Sequence, residues 1–134
     1  MLRDLHGQAV AAARELIGAR AKEGRHHVAA TVLTRTGGSY TAVNIDSVLG
    51  RAAVCAEAVA IGMASTAEPT AEIAFVAAVN RRLVVIAPCG LCRELLLDYG
   101  PEALVAVPTE GLEWTARSLH VLMPDPYKAG RRGV

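Results

Sequence analysis

Aromatic residues are nearly absent. One Phe, one Trp and three Tyr make up 4% of the 134 residues, so the core has to be built from aliphatic side chains. An excess of either charge is missing too. Fourteen Lys and Arg face 13 Asp and Glu, leaving a formal charge of +1. Such a chain offers no field for a polyanion. Its only adjacent basic pairs are Arg81-Arg82 and Arg131-Arg132, the second read as a disordered tail, so no nucleic-acid partner is expected. No apolar run approaches the roughly 20 residues of a membrane span. Arg3, Asp4, Arg14 and Glu15 interrupt the N-terminal stretch where a signal peptide would need apolar sequence. Cysteine occurs three times, and an odd, low count argues against a disulfide framework. The cytoplasm is therefore the expected compartment. No repeat or linker breaks the chain, and its length suits one domain over residues 1–134.

What is plentiful is Ala, Val and Leu, and their spacing predicts the elements. Leu2, Leu5, Ala9, Ala12, Leu16 and Ala19 recur at helical intervals and predict an amphipathic first helix. Val28–Thr34 and Ser39–Ile45 flank Thr36-Gly37-Gly38 and read as a hairpin. Val54–Ala67 is an Ala-rich helix, expected to be buried on most sides. Glu72–Val79 is a third strand and Leu83–Ile86 a short extended run. Gly90–Tyr99 is a helix stopped by Gly100-Pro101. Ala103–Val107 is a fourth strand, Trp114-Thr115 a fifth, and Ala116–Leu122 a short helix. The order predicts an α/β fold with three layers, α/β/α, around a mixed five-stranded sheet, with parallel crossovers in the middle and an antiparallel hairpin in front. Phe75 and Trp114 are expected in the core. Tyr40 and Tyr99 are read as structural.

The three cysteines fall in two motifs, Cys55-Ala56-Glu57 and Pro88-Cys89-Gly90-Leu91-Cys92. Cys89 and Cys92 share one face of a helix start, with Pro88 just ahead as befits a helix N-terminus. Cys55 opens the other helix. Two helix N-termini would then meet, and their dipoles favour thiolates. Three thiolates suit a tetrahedral zinc with one position left for water, the pattern of catalytic rather than structural sites. Arg93 and the helix ends would offset the net negative charge. Glu94 is read either as a surface residue or as a partner for Arg93. Glu57 lies about 200° around the helix from Cys55, which suits a proton carrier better than a fourth ligand. A lone C-x-x-C is weak alone: it also describes a redox pair, a structural half-site or two buried thiols. The Cys-Ala-Glu run upstream favours the catalytic reading. The four His lie outside finger-like spacing.

These residues resemble those of the small cytidine deaminase family, which includes the blasticidin-S deaminases. The likeness runs from about Val28 to Tyr127. It rests on Val28–Thr34 as the first strand, Asn44-Ile45-Asp46 as a sugar motif, the two cysteine motifs, and Leu122-Met123-Pro124 followed by Tyr127. The resemblance implies Zn2+ held by Cys55, Cys89 and Cys92, with Glu57 as proton shuttle. It also implies that the Ala56 N–H binds the carbonyl of the base, and that Asn44 and Asp46 contact the ribose. A homotetramer is implied, in which Tyr127 reaches a neighbouring site.

Several positions depart from that pattern. His26 stands where the family has an aromatic, Asp46 replaces a glutamate, Gly50 a tyrosine, and Ala58 an arginine that bonds thiolates. His26 is thus a candidate to stack on substrate, or else, with His27, a solvated turn residue. Asn44 is a candidate sugar contact or a turn residue. The expected substrate is a small nucleoside, cytidine or deoxycytidine first. A blasticidin-like or modified nucleoside is the alternative, and a non-catalytic zinc-stabilised module is the rival class.

Overall fold

The computed structural model describes residues 2–132. Helix α1 (Leu2–Arg20) leads into strands β1 (Val28–Thr34) and β2 (Ser39–Val43), then helix α2 (Ala56–Ala67). Strands β3 (Ile73–Asn80) and β4 (Val85–Ile86) precede helix α3 (Gly90–Tyr99). Strands β5 (Leu104–Pro108) and β6 (Trp114–Ser118) and the one-turn helix α4 (Leu119–Leu122) complete the order. The sheet runs β2-β1-β3-β5-β6, with the two-residue β4 on the same edge of β3 as β5. This is the expected three-layer α/β/α arrangement, a mixed sheet whose main path has five strands. Only β3 and β5 are parallel, joined through α3. Every other pair is antiparallel, so the central strands are less parallel than the sequence implied.

Side-chain alternation along each strand feeds two cores. On one face Val32, Val76, Val105 and Val107 meet Ala60, Ile61 and Ala64 of α2, Leu96 of α3 and Leu119 of α4. On the other, Ala29, Phe75, Ala77 and Val79 meet Ala9, Val10, Ala13 and Ile17 of α1. A register shift between Leu33 and Thr34 skips Ala74, so Ile73 joins the α2–α3 core while Phe75 faces α1. Phe75 is fully buried, as expected. Trp114 tilts against it at 6.2 Å.

The apolar face of α1 is rotated by about one residue, roughly 100°, from the stripe its sequence displays. His6, Ala9, Val10, Ala13 and Ile17 are buried, whereas Leu2 and Leu5 are exposed. The bulky Val10 and Ile17 fix the rotation, and His6 stacks flat on Phe75 at 4.0 Å. Helix α2 is also less enclosed than expected. Its inner face is buried, but Gly62, Met63, Thr66 and Ala67 face outward. Residues 116–118 belong to β6, not to the final helix. They pair with β5 from Leu104↔Ser118 to Pro108↔Trp114, and Ser118 then caps α4 through the His120 N–H. Sheet pairing overrides the helical preference of Ala116 and Arg117.

The hairpin is tied to the end of α2. The Glu68 carboxylate accepts bonds from Thr34 Oγ1 at 3.0 Å, Thr36 Oγ1 at 2.7 Å and the Tyr40 hydroxyl at 2.7 Å. Tyr40 is structural, as read from the sequence. Arg132 is not loose either. Its guanidinium bonds the carboxylates of Glu94 and Asp98 and the carbonyls of Glu94 and Tyr127, folding the tail back on α3. Glu94 therefore serves Arg132 rather than Arg93.

Gly100 closes α3 by donating to Leu96 O at 2.7 Å. A Cβ at Gly100 would run into the Ile73 carbonyl and sit 2.8 Å from Ile73 Cβ. The neighbour there is backbone and cannot swing away. Gly100→Ala is expected to destabilise the fold by about 1–3 kcal/mol, read as a lower urea midpoint. An unchanged midpoint would show that β3 and α3 can separate freely.

Candidate metal centre and cleft

Helices α2 and α3 each begin with a cysteine at the N-cap. Cys55 caps α2 and Cys89 caps α3, and neither makes a side-chain capping bond. A Ser, Thr or Asp would turn its oxygen back onto the free N–H groups of the first turn. The thiols instead point toward one another. Cys55 Sγ and Cys89 Sγ lie 3.9 Å apart, and Cys92 Sγ, one turn into α3, completes a group within 4.8 Å. A disulfide would need about 2.05 Å, and all three are free. Zn–S bonds of about 2.3 Å place tetrahedral sulfurs about 3.8 Å apart, so the spacing and the soft donor set both fit zinc.

The electrostatics of the three differ. Burial pushes the Cys55 thiol up. Burial, then the nearby Glu57 charge, raise Cys92 far above an ordinary thiol. Burial also acts on Cys89, but the N–H groups of Cys92 and Leu91 outweigh it and bring its pKa below the usual value. Cys89 is thus the sulfur most ready to ionise. A bound dication draws the protons from all of them.

Glu57 is the second residue of α2 and is 4% exposed. Burial raises its carboxyl, while its own N–H and the Cys92 thiol pull the other way. Ala56 is buried with Ala30 and Ala78 in a small core cluster. Glu57, Ala56, Cys55 and Cys89 line a cleft of about 400 Å³, within the range of small-molecule sites. Its walls are aliphatic: Val28, Ile45, Val54 and Ile86, with Leu91 at the mouth. Among the described residues, no Lys, Arg or His lines it. A larger hollow of about 880 Å³ lies beside Asp98, His120 and Lys128 but has no cysteine on its walls, so the chemistry belongs to the smaller one.

The expected substrate contacts scatter. Asn44 lines the cleft, yet its Oδ1 is used by the N–H groups of His27 at 2.6 Å and Val28 at 3.0 Å. That is the structural role left open in the sequence. Only Nδ2, with a long 3.4 Å bond to Arg25 O, has spare capacity. Asp46 sits outside the cleft lining. Its carboxylate is lowered by the Ser47 N–H at 2.8 Å and by His27 at 3.3 Å. His26 Nδ1 donates to Asn44 O at 2.8 Å, and its ring does not line the cleft. Tyr127 is 74% exposed, on the tail beside Glu94 and Asp98. The sequence reading missed His27 as the partner of Asp46 and Leu91, Ile86 and Val54 as cleft walls. Adjacency to His26 and to the cysteines was the available signal.

A family model described as the cytidine and deoxycytidylate deaminase zinc-binding region matches residues 3–107. The chain belongs to this family. Its members are zinc-dependent deaminases acting on pyrimidine compounds, and the Cys55, Cys89 and Cys92 group is consistent with the family's Zn2+. The blasticidin-S deaminase of Bacillus cereus is 38% identical over 125 residues, 88% of this chain and 89% of that one. A mutant cytidine deaminase from Mycobacterium tuberculosis superposes with a TM-score of 0.78 at 26% identity, covering 92% of this chain and 94% of that one. The cytidine deaminase from Burkholderia pseudomallei gives 0.75 at 27% identity, over 91% and 98%. No helix among the described residues is long and apolar enough to cross a membrane.

Fresh protein is expected to carry one zinc per chain by elemental analysis. Cys92→Ser, which places a hard hydroxyl in a buried soft site, is expected to hold far less. Full zinc in that variant would mean that the metal sits elsewhere.

Proposed function

We propose that the chain is one hydrolytic domain that removes the exocyclic amino group of a cytosine nucleoside, with cytidine or deoxycytidine the leading substrate. The observation that carries this reading is the buried Glu57 carboxyl on the floor of an aliphatic cleft, beside three thiols at converging helix starts. Zinc held by Cys55, Cys89 and Cys92 supplies a Lewis acid that makes water a better nucleophile near neutral pH. Glu57 takes a proton from the attacking water and delivers protons to the ring nitrogen and the departing amine. Its raised pKa favours a group that both accepts and returns protons. The Ala56 N–H, free at the start of α2, donates to the carbonyl oxygen of the base. The uncharged aliphatic walls suit a flat, neutral ring and offer no cation for a phosphate.

Asn44 through Nδ2, and Asp46 as oriented by His27, face the sugar in this reading. His26 and Tyr127 act from outside the chain's own cleft, at a rim completed by neighbouring copies. A homotetramer agrees with the outward apolar residues Val48, Leu49 and Leu91 and the open α2 face at Met63. The cytoplasm suits three free thiols. Blasticidin S or a similar modified nucleoside is the second reading, favoured by the 38% identity to a blasticidin-S deaminase. A non-catalytic zinc module has no use for a buried carboxylate at the metal.

The deciding measurement is ammonia release from cytosine, cytidine, deoxycytidine, their monophosphates and blasticidin S. Turnover of nucleosides but not monophosphates is expected, and no turnover of any would leave the zinc-module reading. Glu57→Gln is expected to keep fold and zinc while losing at least 10²–10⁴-fold in kcat, about the contribution of a general acid–base group. A variant within about tenfold of wild type, about 1.4 kcal/mol of barrier, would remove Glu57 from the proton path. Asp46→Ala is expected to raise KM more than it lowers Tm. Light scattering is expected to give a particle near four chains, and a monomer at micromolar concentration would contradict the tetramer.

A further inference from the structure

The two helices that bring cysteines to the metal are held by different devices at the residue before the cysteine. Ahead of α2 that residue is Val54. It forms a two-bond bridge with Ile45, Ile45 N–H to Val54 O at 2.9 Å and Val54 N–H to Ile45 O at 2.8 Å. Ahead of α3 it is Pro88, which is buried. Proline has no N–H, so a reciprocal bridge is unavailable. Its carbonyl still needs a donor in that buried setting. Arg93 provides it: Nε donates to Pro88 O at 2.9 Å. The same guanidinium donates through NH1 to Leu122 O at 3.1 Å, a carbonyl left free at the end of α4. Arg93 also gives its backbone N–H to Cys89 O at 3.0 Å, the first bond of α3.

The cap adds a second reason for such a device. Cys89 makes no side-chain capping bond, because its sulfur is turned toward Cys55. The side-chain oxygen that usually fixes a helix start is therefore missing from this turn. Arg93 grips the turn from one residue beyond Cys92, with a planar fork spanning two carbonyls. A lysine, a point donor on a flexible stem, reproduces that span poorly.

We propose that Arg93 is a positioning residue for the metal: by tying Pro88 O to Leu122 O it holds the Pro88–Cys92 turn in the geometry in which Cys89 and Cys92 meet Cys55. This rests on the zinc reading above. Arg93 does not line the cleft, so it is not assigned a contact with substrate. Its effect is on how firmly the metal is held.

The test compares zinc release to an excess of chelator from wild type, Arg93→Ala, Arg93→Lys and Arg132→Ala. Arg132 is the control, since it also braces α3 but bonds Glu94 and Asp98 on the helix flank and not the cysteine turn. Zinc release from Arg93→Ala is expected to be faster by about 10–100-fold, the usual effect of removing a group that orients metal ligands. Arg93→Lys is expected to fall between Arg93→Ala and wild type. Arg132→Ala is expected to lower Tm while releasing zinc at the wild-type rate. In the cobalt-substituted protein, the thiolate absorption band is expected to shift in Arg93→Ala and not in Arg132→Ala. For turnover, kcat is expected to fall in Arg93→Ala with KM unchanged. Wild-type zinc retention in Arg93→Ala, or equal loss in Arg132→Ala, would overturn the proposal. If Arg93→Ala does not fold, Arg93→Lys decides alone: faster release with an intact Tm supports the proposal, and wild-type release overturns it. A wild-type chain that holds no zinc overturns the zinc reading itself, a result distinct from either of these.

Discussion

Everything at the site depends on a capping position being given up. Cys55 and Cys89 stand where a helix normally takes a short side-chain oxygen onto its first N–H groups. Each helix start forgoes that bond so that sulfur can point away from its own helix. The two N-termini then approach with their positive ends together, and three sulfurs converge where the backbone favours negative charge. Cys89 registers this most directly, since N–H groups of its own first turn hold its pKa down despite burial. Glu57, one residue into α2 beyond Ala56, is carried to the same point because it shares the helix start with Cys55.

The sheet makes the convergence possible. Strand β1 pairs with β3 from Val28↔Asn80 to Thr34↔Ile73, so the first residue of β1 and the end of β3 lie side by side. Both α2 and the β4–α3 segment return to that end. Cys55 ends the connection out of the hairpin, Cys89 ends the connection from β4, and Cys92 lies in the first turn of α3. The core that holds the strands is made of Ala, Val, Ile and Leu, with Phe75 on the α1 face, and no cysteine is in any of its clusters. The metal is thus held by a scaffold whose packing does not require it.

The motifs and the strands were legible in the sequence because both are local signals. Val28–Thr34 and Gly90–Tyr99 coincide with β1 and α3, since β-branched runs and a Gly-Pro stop act within a few residues. The cysteine spacing was readable for the same reason. What was not legible depended on partners distant in sequence. The rotation of α1 was set by Val10 and Ile17 packing against the strands, the extension of β6 by β5, and the order of the tail by Arg132 reaching Glu94 and Asp98. Asn44 shows the limit most clearly. Its residue type allowed a sugar contact or a backbone brace, and the N–H groups of His27 and Val28 claim its oxygen. Nothing in Asn44-Ile45-Asp46 as a string distinguishes the two.

The contrast between floor and lip of the cleft has an evolutionary consequence. Ala56 belongs to a core cluster and Glu57 is buried, so most changes there strain the fold as well as the chemistry. Ile45 and Val54 line the same cleft yet are 49% and 38% exposed, and exposed positions usually tolerate replacement within about 0.5 kcal/mol. Random substitution therefore samples the mouth of the cleft almost freely and the floor hardly at all. A lineage built on this scaffold can drift in what it admits while the bond it breaks stays the same.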